Sequence, residues 1–173
     1  RKTDELKAEY LISLFNNIYL KDIKERNSIK TDDELDILVD IVASATGSLT
    51  NPTKISNSFK SMSQKSLSDK TIKLYLDHLS DAFLIEKSVR FDVKGKKYIN
   101  TPAKYYFEDV GLRNARLNFR QQEENHIMEN IIYIELRSRG YRVDVGVVEV
   151  YETSNSGKSE KKFLEIDFIA NKG

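Results

Sequence analysis

Glu165 and Asp167, one residue apart in the stretch Glu165-Ile166-Asp167-Phe168-Ile169, have the spacing best suited to chemistry in this chain. The stretch reads as a strand, whose two-residue period sends both carboxylates to one face and Ile166 and Phe168 to the other. Two carboxylates side by side repel unless a cation or basic group lies between them. A glutamate from a neighbouring helix would complete an oxygen-rich set for magnesium, which polarises a phosphodiester or its attacking water. Residues 126–139 read as that helix. They offer Glu129, at the edge of the apolar arc, and Glu135, near its middle, where an unpaired carboxylate is costly to bury. The competing reading is structural: the acids pair with Arg137, Arg139, Arg142 or Lys162, each surface pair contributing about 0–1 kcal/mol.

A second set of candidate residues is basic. Residues 54–104 carry 11 basic and 5 acidic side chains, against 7 and 10 over 1–53 and 10 and 12 over 105–173, so the net charge of +1 hides a surplus in the middle segment. Such a patch suits phosphate backbones, where each neutralised phosphate releases counterions. Lys70, Lys73, Lys94, Lys96 and Lys97 are the DNA-contact candidates. Asp77 and Asp81, further along the same helix face, would repel phosphate. A solvated lysine surface is the plain alternative.

The elements that must position these residues follow from periodicity. Ile72, Leu76, Leu79 and Phe83 recur as one helical stripe, with Ser68 ahead of them as N-cap. Leu84 to Phe91 alternates as a strand, and Gly95 turns the chain back through Tyr98 and Ile99 as a wing. Two helices precede this unit. One begins at the capping box Thr31-Asp32-Asp33-Glu34, buries Leu35, Leu38, Val39 and Val42, and ends near Gly47. The other opens on Asn51-Pro52 and presents Ile55, Phe59 and Met62. Residues 4–18 form an amphipathic lead-in helix with Leu6, Tyr10, Leu11, Leu14, Phe15 and Ile18 on one face, and 19–23 continue it.

After Thr101-Pro102 the pattern changes. Tyr105 to Asp109 reads as a short strand and Val110 to Phe119 as a helix. Helix 126–139 is apolar over half its circumference (Ile127, Met128, Ile131, Ile132, Ile134, Leu136), which predicts burial on two sides. Strands 141–151 and 162–170 follow, joined by the loop 152–161. Gly157-Lys158-Ser159 in that loop resembles the end of a phosphate-binding loop, but Glu152 stands where the motif needs glycine, and the segment lies between two strands.

Composition excludes several classes. The chain has 173 residues, no cysteine and two histidines, so there is no disulfide framework or thiolate metal site, and no zinc site from histidine alone. No apolar run approaches the roughly 20 residues of a membrane span, and no signal peptide opens the chain. A soluble, cytoplasmic protein without membrane partners is expected, and the start at Arg1 suggests a piece of something longer.

Five segments in order, YLKDI at 19–23, TIKLYLDHLSDAFLIEK at 71–87, PAKYYFEDVGLRNA at 102–115, IMENIIYIELRSRGYRV at 127–143 and EIDFIA at 165–170, resemble the C-terminal half of bacterial and archaeal AAA-type ATPases. That half is a domain of unknown function in which a winged helix precedes a segment similar to the PD-(D/E)XK nuclease fold. The resemblance covers nearly the whole chain. It implies an α+β fold: a helical lead-in over 1–30, a winged helix-turn-helix over 31–104, and a partial restriction-endonuclease-like α/β segment over 105–173. It also implies that Glu129 matches the helix glutamate and Asp167 the strand aspartate of a nuclease-like site, with magnesium the metal if that site is active. The following strand, with an acid, one residue and a lysine, has no counterpart here. ATP belongs to the missing ATPase module, and no cofactor is expected in this piece.

Three functions compete. The leading one is a non-catalytic binding and regulatory module that docks DNA or a partner protein, the ATPase module included, through the winged helix. The second is a metal-dependent nuclease domain lacking its lysine strand. The third is an interaction module in which the lead-in helix drives homo-oligomer assembly.

Overall fold

The computed structural model describes residues 2–30, 32–120, 123–153 and 159–172. Thr31 of the expected capping box and Gly157 and Lys158 of the expected loop lie outside them. The chain is α+β. Helices α1 (Lys2–Leu14), α2 (Lys21–Arg26), α3 (Asp32–Ser44), α4 (Pro52–Ser63) and α5 (Asp69–Asp81) precede the hairpin of β1 (Ile85–Asp92) and β2 (Lys97–Phe107). Helices α6 (Val110–Arg116) and α7 (Glu124–Ser138) then lead into β3 (Arg142–Thr153) and β4 (Ser159–Asn171).

Local chemistry sets several of these boundaries. Asn51 accepts a hydrogen bond from the Lys54 amide at 2.7 Å and Pro52 opens α4. Ser68 accepts from the Thr71 amide at 3.1 Å at the start of α5, so both expected caps are present. Ile72, Leu76 and Leu79 are buried with Leu35, Leu38, Val39, Ile55 and Phe59 in the main core. Phe83 is not: it lies past the end of α5 with φ +54° and is 80% exposed. The four-residue spacing continues beyond the point where the helix stops, so the stripe overreaches by one residue. Met62, expected on the inner face of α4, is also exposed.

The lead-in departs further from expectation. Phe15–Leu20 is a π-helical segment between α1 and α2. Its wider turn rotates the following side chains away from a 100° progression. Phe15 is buried and Leu11 and Leu14 pack on the core, while Leu6, Tyr10 and Ile18 are exposed, so the six residues do not share one buried face.

The four strands form one mixed sheet in the order β2-β1-β3-β4, with β1 and β3 parallel and the other pairs antiparallel. Residues 105–107, expected as a separate strand, are the end of β2, which runs through position 104 without interruption. One side of the hairpin, with Ile85, Tyr105 and Phe107, closes the helical core. On the other side Tyr106 joins Tyr133 and Val143 in a second, smaller core.

Helix α7 is fixed to this second side by a two-way amide contact. Asn130 donates to the Phe107 carbonyl at 2.7 Å and accepts from the Phe107 amide at 2.9 Å, satisfying the outer edge of β2 as another strand would. Tyr133 stacks on Tyr106 with ring centroids 4.1 Å apart. Burial on two sides does not occur: Met128, Ile131 and Ile132 are exposed, and Asn130 and Tyr133 are the buried residues of α7. Arg116 ties α6 to α3 through Asp40 at 2.6 Å and Asp36 at 2.9 Å.

Candidate functional site

The three candidate acids meet on a lysine. Asn130 sets the rotation of α7, so its neighbour Glu129 faces β2, where Lys104 and Tyr106, two residues apart, project to the same side. The Lys104 ammonium lies 2.9 Å from Glu129 Oε1, 2.8 Å from Glu165 Oε1 and 3.2 Å from Asp167 Oδ1. Tyr106 donates a further hydrogen bond to Glu129 Oε1 at 2.7 Å.

A bulge in β4 brings its two acids into reach. Asp144 pairs with Ile169 and Gly146 with Ile166, so Val145 opposes both Asp167 and Phe168. The extra residue re-aims the strand locally. Phe168 therefore turns toward Tyr106, with ring centroids 6.2 Å apart, instead of following Ile166 to the opposite face as strict alternation predicts.

Gly47 completes the enclosure. With φ +74° it occupies the left-handed region, its amide donates to the Tyr105 carbonyl, and a Cβ there would stand 3.2 Å from the Glu129 carboxylate.

The Lys104 side chain is 3% exposed. Burial alone would lower its pKa, but the hydrogen bonds and charges of Glu129 and Glu165 outweigh burial and hold the ammonium above its ordinary value of 10.5. Burial raises the Tyr106 hydroxyl, and the bond to Glu129 raises it further, so Tyr106 acts as a donor throughout the physiological range.

This arrangement is an ion-pair hub joining α7 to the two outer strands of the sheet. It does not suit magnesium, because Lys104 fills the point on which the carboxylates converge. Among the described residues no three acids or histidines are arranged to hold a metal ion. Of the expected partners, Arg139 does hold one candidate acid, Glu135, while Glu129, Glu165 and Asp167 converge on Lys104. Arg137 pairs with Glu86 at 2.6 Å, and Arg139 with Glu135 at 2.6 Å, which leaves Glu135 exposed and paired instead of buried.

Lys104 was the residue that pattern reading passed over. Its signal is its setting, a lone charge in the run Ala103-Lys104-Tyr105-Tyr106-Phe107, since a charge buried in an apolar strand requires a partner.

The basic candidates lie elsewhere. Lys70, Lys73, Lys96 and Lys97 are exposed, and among the described residues none of them, nor Lys87, makes a side-chain hydrogen bond or ion pair. Lys97 feels Glu149 only at longer range. Lys94 differs, donating to the Glu149 carbonyl at 2.9 Å and packing the hairpin turn on β3. Lys73 and Lys87 face a groove of about 500 Å³ between α5, the start of α4 and the hairpin, which none of the turn lysines lines. A larger hollow of about 650 Å³ beside α2 gathers none of the candidate site residues, and an ion pair between Lys24 and Asp36 at 2.6 Å spans two of its lining residues.

No helix among the described residues is long and apolar enough to cross a membrane. No solved structure matches the chain. An uncharacterized protein of Haemophilus influenzae is 39% identical over 169 residues, 98% of this chain and 39% of that protein. The uncharacterized protein MJ1544 of Methanocaldococcus jannaschii is 30% identical over 166 residues, 96% of this chain and 34% of that protein. The chain thus spans well under half the length of these relatives. The family model described as domain of unknown function DUF8612 matches residues 1–123, from the lead-in helix through the hairpin and α6, and the chain belongs to that family.

Proposed function

We propose that this chain is a non-catalytic DNA-docking module of a longer protein, with α3, α4, α5 and the β1–β2 hairpin acting as a winged helix. The observation that carries this reading is the contrast in how cations are used. Outside residues 54–104 many basic side chains are committed to carboxylates, as Arg116, Arg137, Arg139 and Lys161 are. Within the segment Lys70, Lys73, Lys87, Lys96 and Lys97 are uncommitted. Unpaired surface cations are free to neutralise phosphates and release their counterions. The acids that could have supported nuclease chemistry are engaged by Lys104 instead. The longer protein would be an ATPase, as the resemblance of the five segments implies, with this module binding its target for it.

The test is fluorescence anisotropy of a generic labelled duplex titrated with the protein at several salt concentrations. A linear fall of log affinity with log salt, its slope giving the number of phosphates contacted, is the expected result. Absence of binding at low salt overturns the reading.

A further inference from the structure

We infer that the module recognises the nucleic-acid backbone alone, without reading bases, and that the groove between α5 and the hairpin is where the backbone sits. This rests on the DNA-docking reading above and specifies its mode.

Base readout in the major groove uses arginine or lysine on guanine and asparagine or glutamine on adenine, presented along an inserted helix. The exposed face of α5 cannot supply that set. It carries Asp69, Lys70, Lys73, Leu74, Asp77 and Asp81, with no arginine or amide side chain. Asp77 and Asp81 make no ion pair among the described residues, so their charge is not neutralised within the chain. A helix laid along the major groove would bring both against phosphates.

The groove offers a different approach. A long bulge in β2, where Asn100 to Ala103 oppose Val89 alone, diverts the strand toward α5 and brings Asn100 and Thr101 to the groove wall. Arg90 holds that bulge by donating to the carbonyls of Thr101 at 3.0 Å and Pro102 at 3.1 Å. Thr50 closes its far end through paired backbone bonds with Ala103 at 2.8 and 2.9 Å.

Lys73 and Lys87 supply the positive charge of the groove, and the neutral donors Asn51, Asn100 and Thr101 suit phosphate oxygens. Asp69, which accepts a hydrogen bond from Thr53 at 2.8 Å, and Asp77 line the same groove and oppose them, so two carboxylates stand against the two lysines. The balance predicts weak, strongly salt-dependent, sequence-independent binding, with Asp77 as an internal brake.

The experiment measures the affinity of the protein for two labelled duplexes of unrelated sequence, with wild type, Lys73→Gln/Lys87→Gln and Asp77→Asn side by side. The expected results are affinities for the two duplexes within about threefold, about tenfold weaker binding by the double variant with a salt slope shallower by about 2, and tighter binding by Asp77→Asn. Thermal melting of each variant checks that the fold is intact. A preference of a hundredfold or more for one duplex overturns the inference in favour of base reading. Wild-type binding that the double variant retains overturns the groove and leaves DNA docking standing. Failure of the wild type to bind either duplex overturns both, and leaves the groove to a protein partner.

Discussion

The hairpin end of the molecule and the α7 side of its sheet contain the same residue types and use them in opposite ways. Around Lys96, Lys97, Lys73 and Lys87 the cations stand in water with no partner, and their charge is available to something outside the chain. Around Lys104 the cation is sealed by three carboxylates, one of which Tyr106 also holds, and its charge is consumed inside the fold. Burial distinguishes the two. A lysine at the surface keeps its hydration and costs the fold nothing, whereas a lysine in the sheet must recover its lost hydration from fixed oxygens. The same reasoning gives architecture at the Lys104 end and makes the other end the one proposed for binding, although the sequence carries acids suited to catalysis at the architectural end.

The contrast is most easily broken at Lys104. Lys104→Met should destabilise the protein by about 3–4 kcal/mol, because it leaves Glu129 partly buried beside Glu165 and Asp167 with no cation between them. Urea unfolding measures this. Adding Glu129→Leu should restore part of the loss, and a single variant as stable as wild type would mean that the hub does not hold the fold.

Alkaline titration probes the buried tyrosines on both sides of the hairpin next. Burial pushes the Tyr105 hydroxyl from 10.0 up to about 12, and Tyr106 and Tyr133 are raised for the same reason. A folded-state pKa above the unfolded one gives stability that is fully present below pH 10 and is lost as pH rises through the folded value. For Tyr105 the shift is on the order of 2–3 kcal/mol. Tyrosinate absorbance from these rings should therefore appear together with unfolding, and ionisation in the folded protein near pH 10 would contradict their burial.

Smaller effects sharpen the comparison at its margins. Gly47→Ala should cost about 1 kcal/mol or more, since alanine must take φ +74° with its methyl 3.2 Å from the Glu129 carboxylate. Ser68→Ala, which removes the cap of α5, should cost about 1 kcal/mol. Lys87→Gln should change stability by no more than about 0.5 kcal/mol, as expected for a surface side chain without a partner. Thermal melting ranks the three, and a large loss at Lys87 would erase the distinction between free and committed lysines.

What could be read from the sequence was local. Asn51 and Ser68 announce their helices because a cap acts on an amide three residues away, and the hairpin through Gly95 follows from alternation and a turn. The stripe failed at Phe83, where the helix ends although the spacing continues, and at the π segment, where the angular step changes. The carboxylates Glu129, Glu165 and Asp167 were legible as a set because strand and helix periods could be combined. Their partner was not, because Lys104 lies 25 positions from Glu129 and 63 from Asp167, and a bulge that no alternation pattern reveals delivers the strand acids. The exposed apolar face of α7 misled for a similar reason: apolar content predicts burial, but the chain itself covers only the side carrying Asn130 and Tyr133.

The most direct test of the division between binding and architecture is the affinity for duplex DNA, at low salt, of the variant in which Lys70, Lys73, Lys96 and Lys97 are all replaced by glutamine. Binding should fall more than about tenfold while the urea midpoint stays at the wild-type value. Binding at wild-type affinity would show that these lysines are only a solvated surface, and the DNA-docking assignment would be wrong.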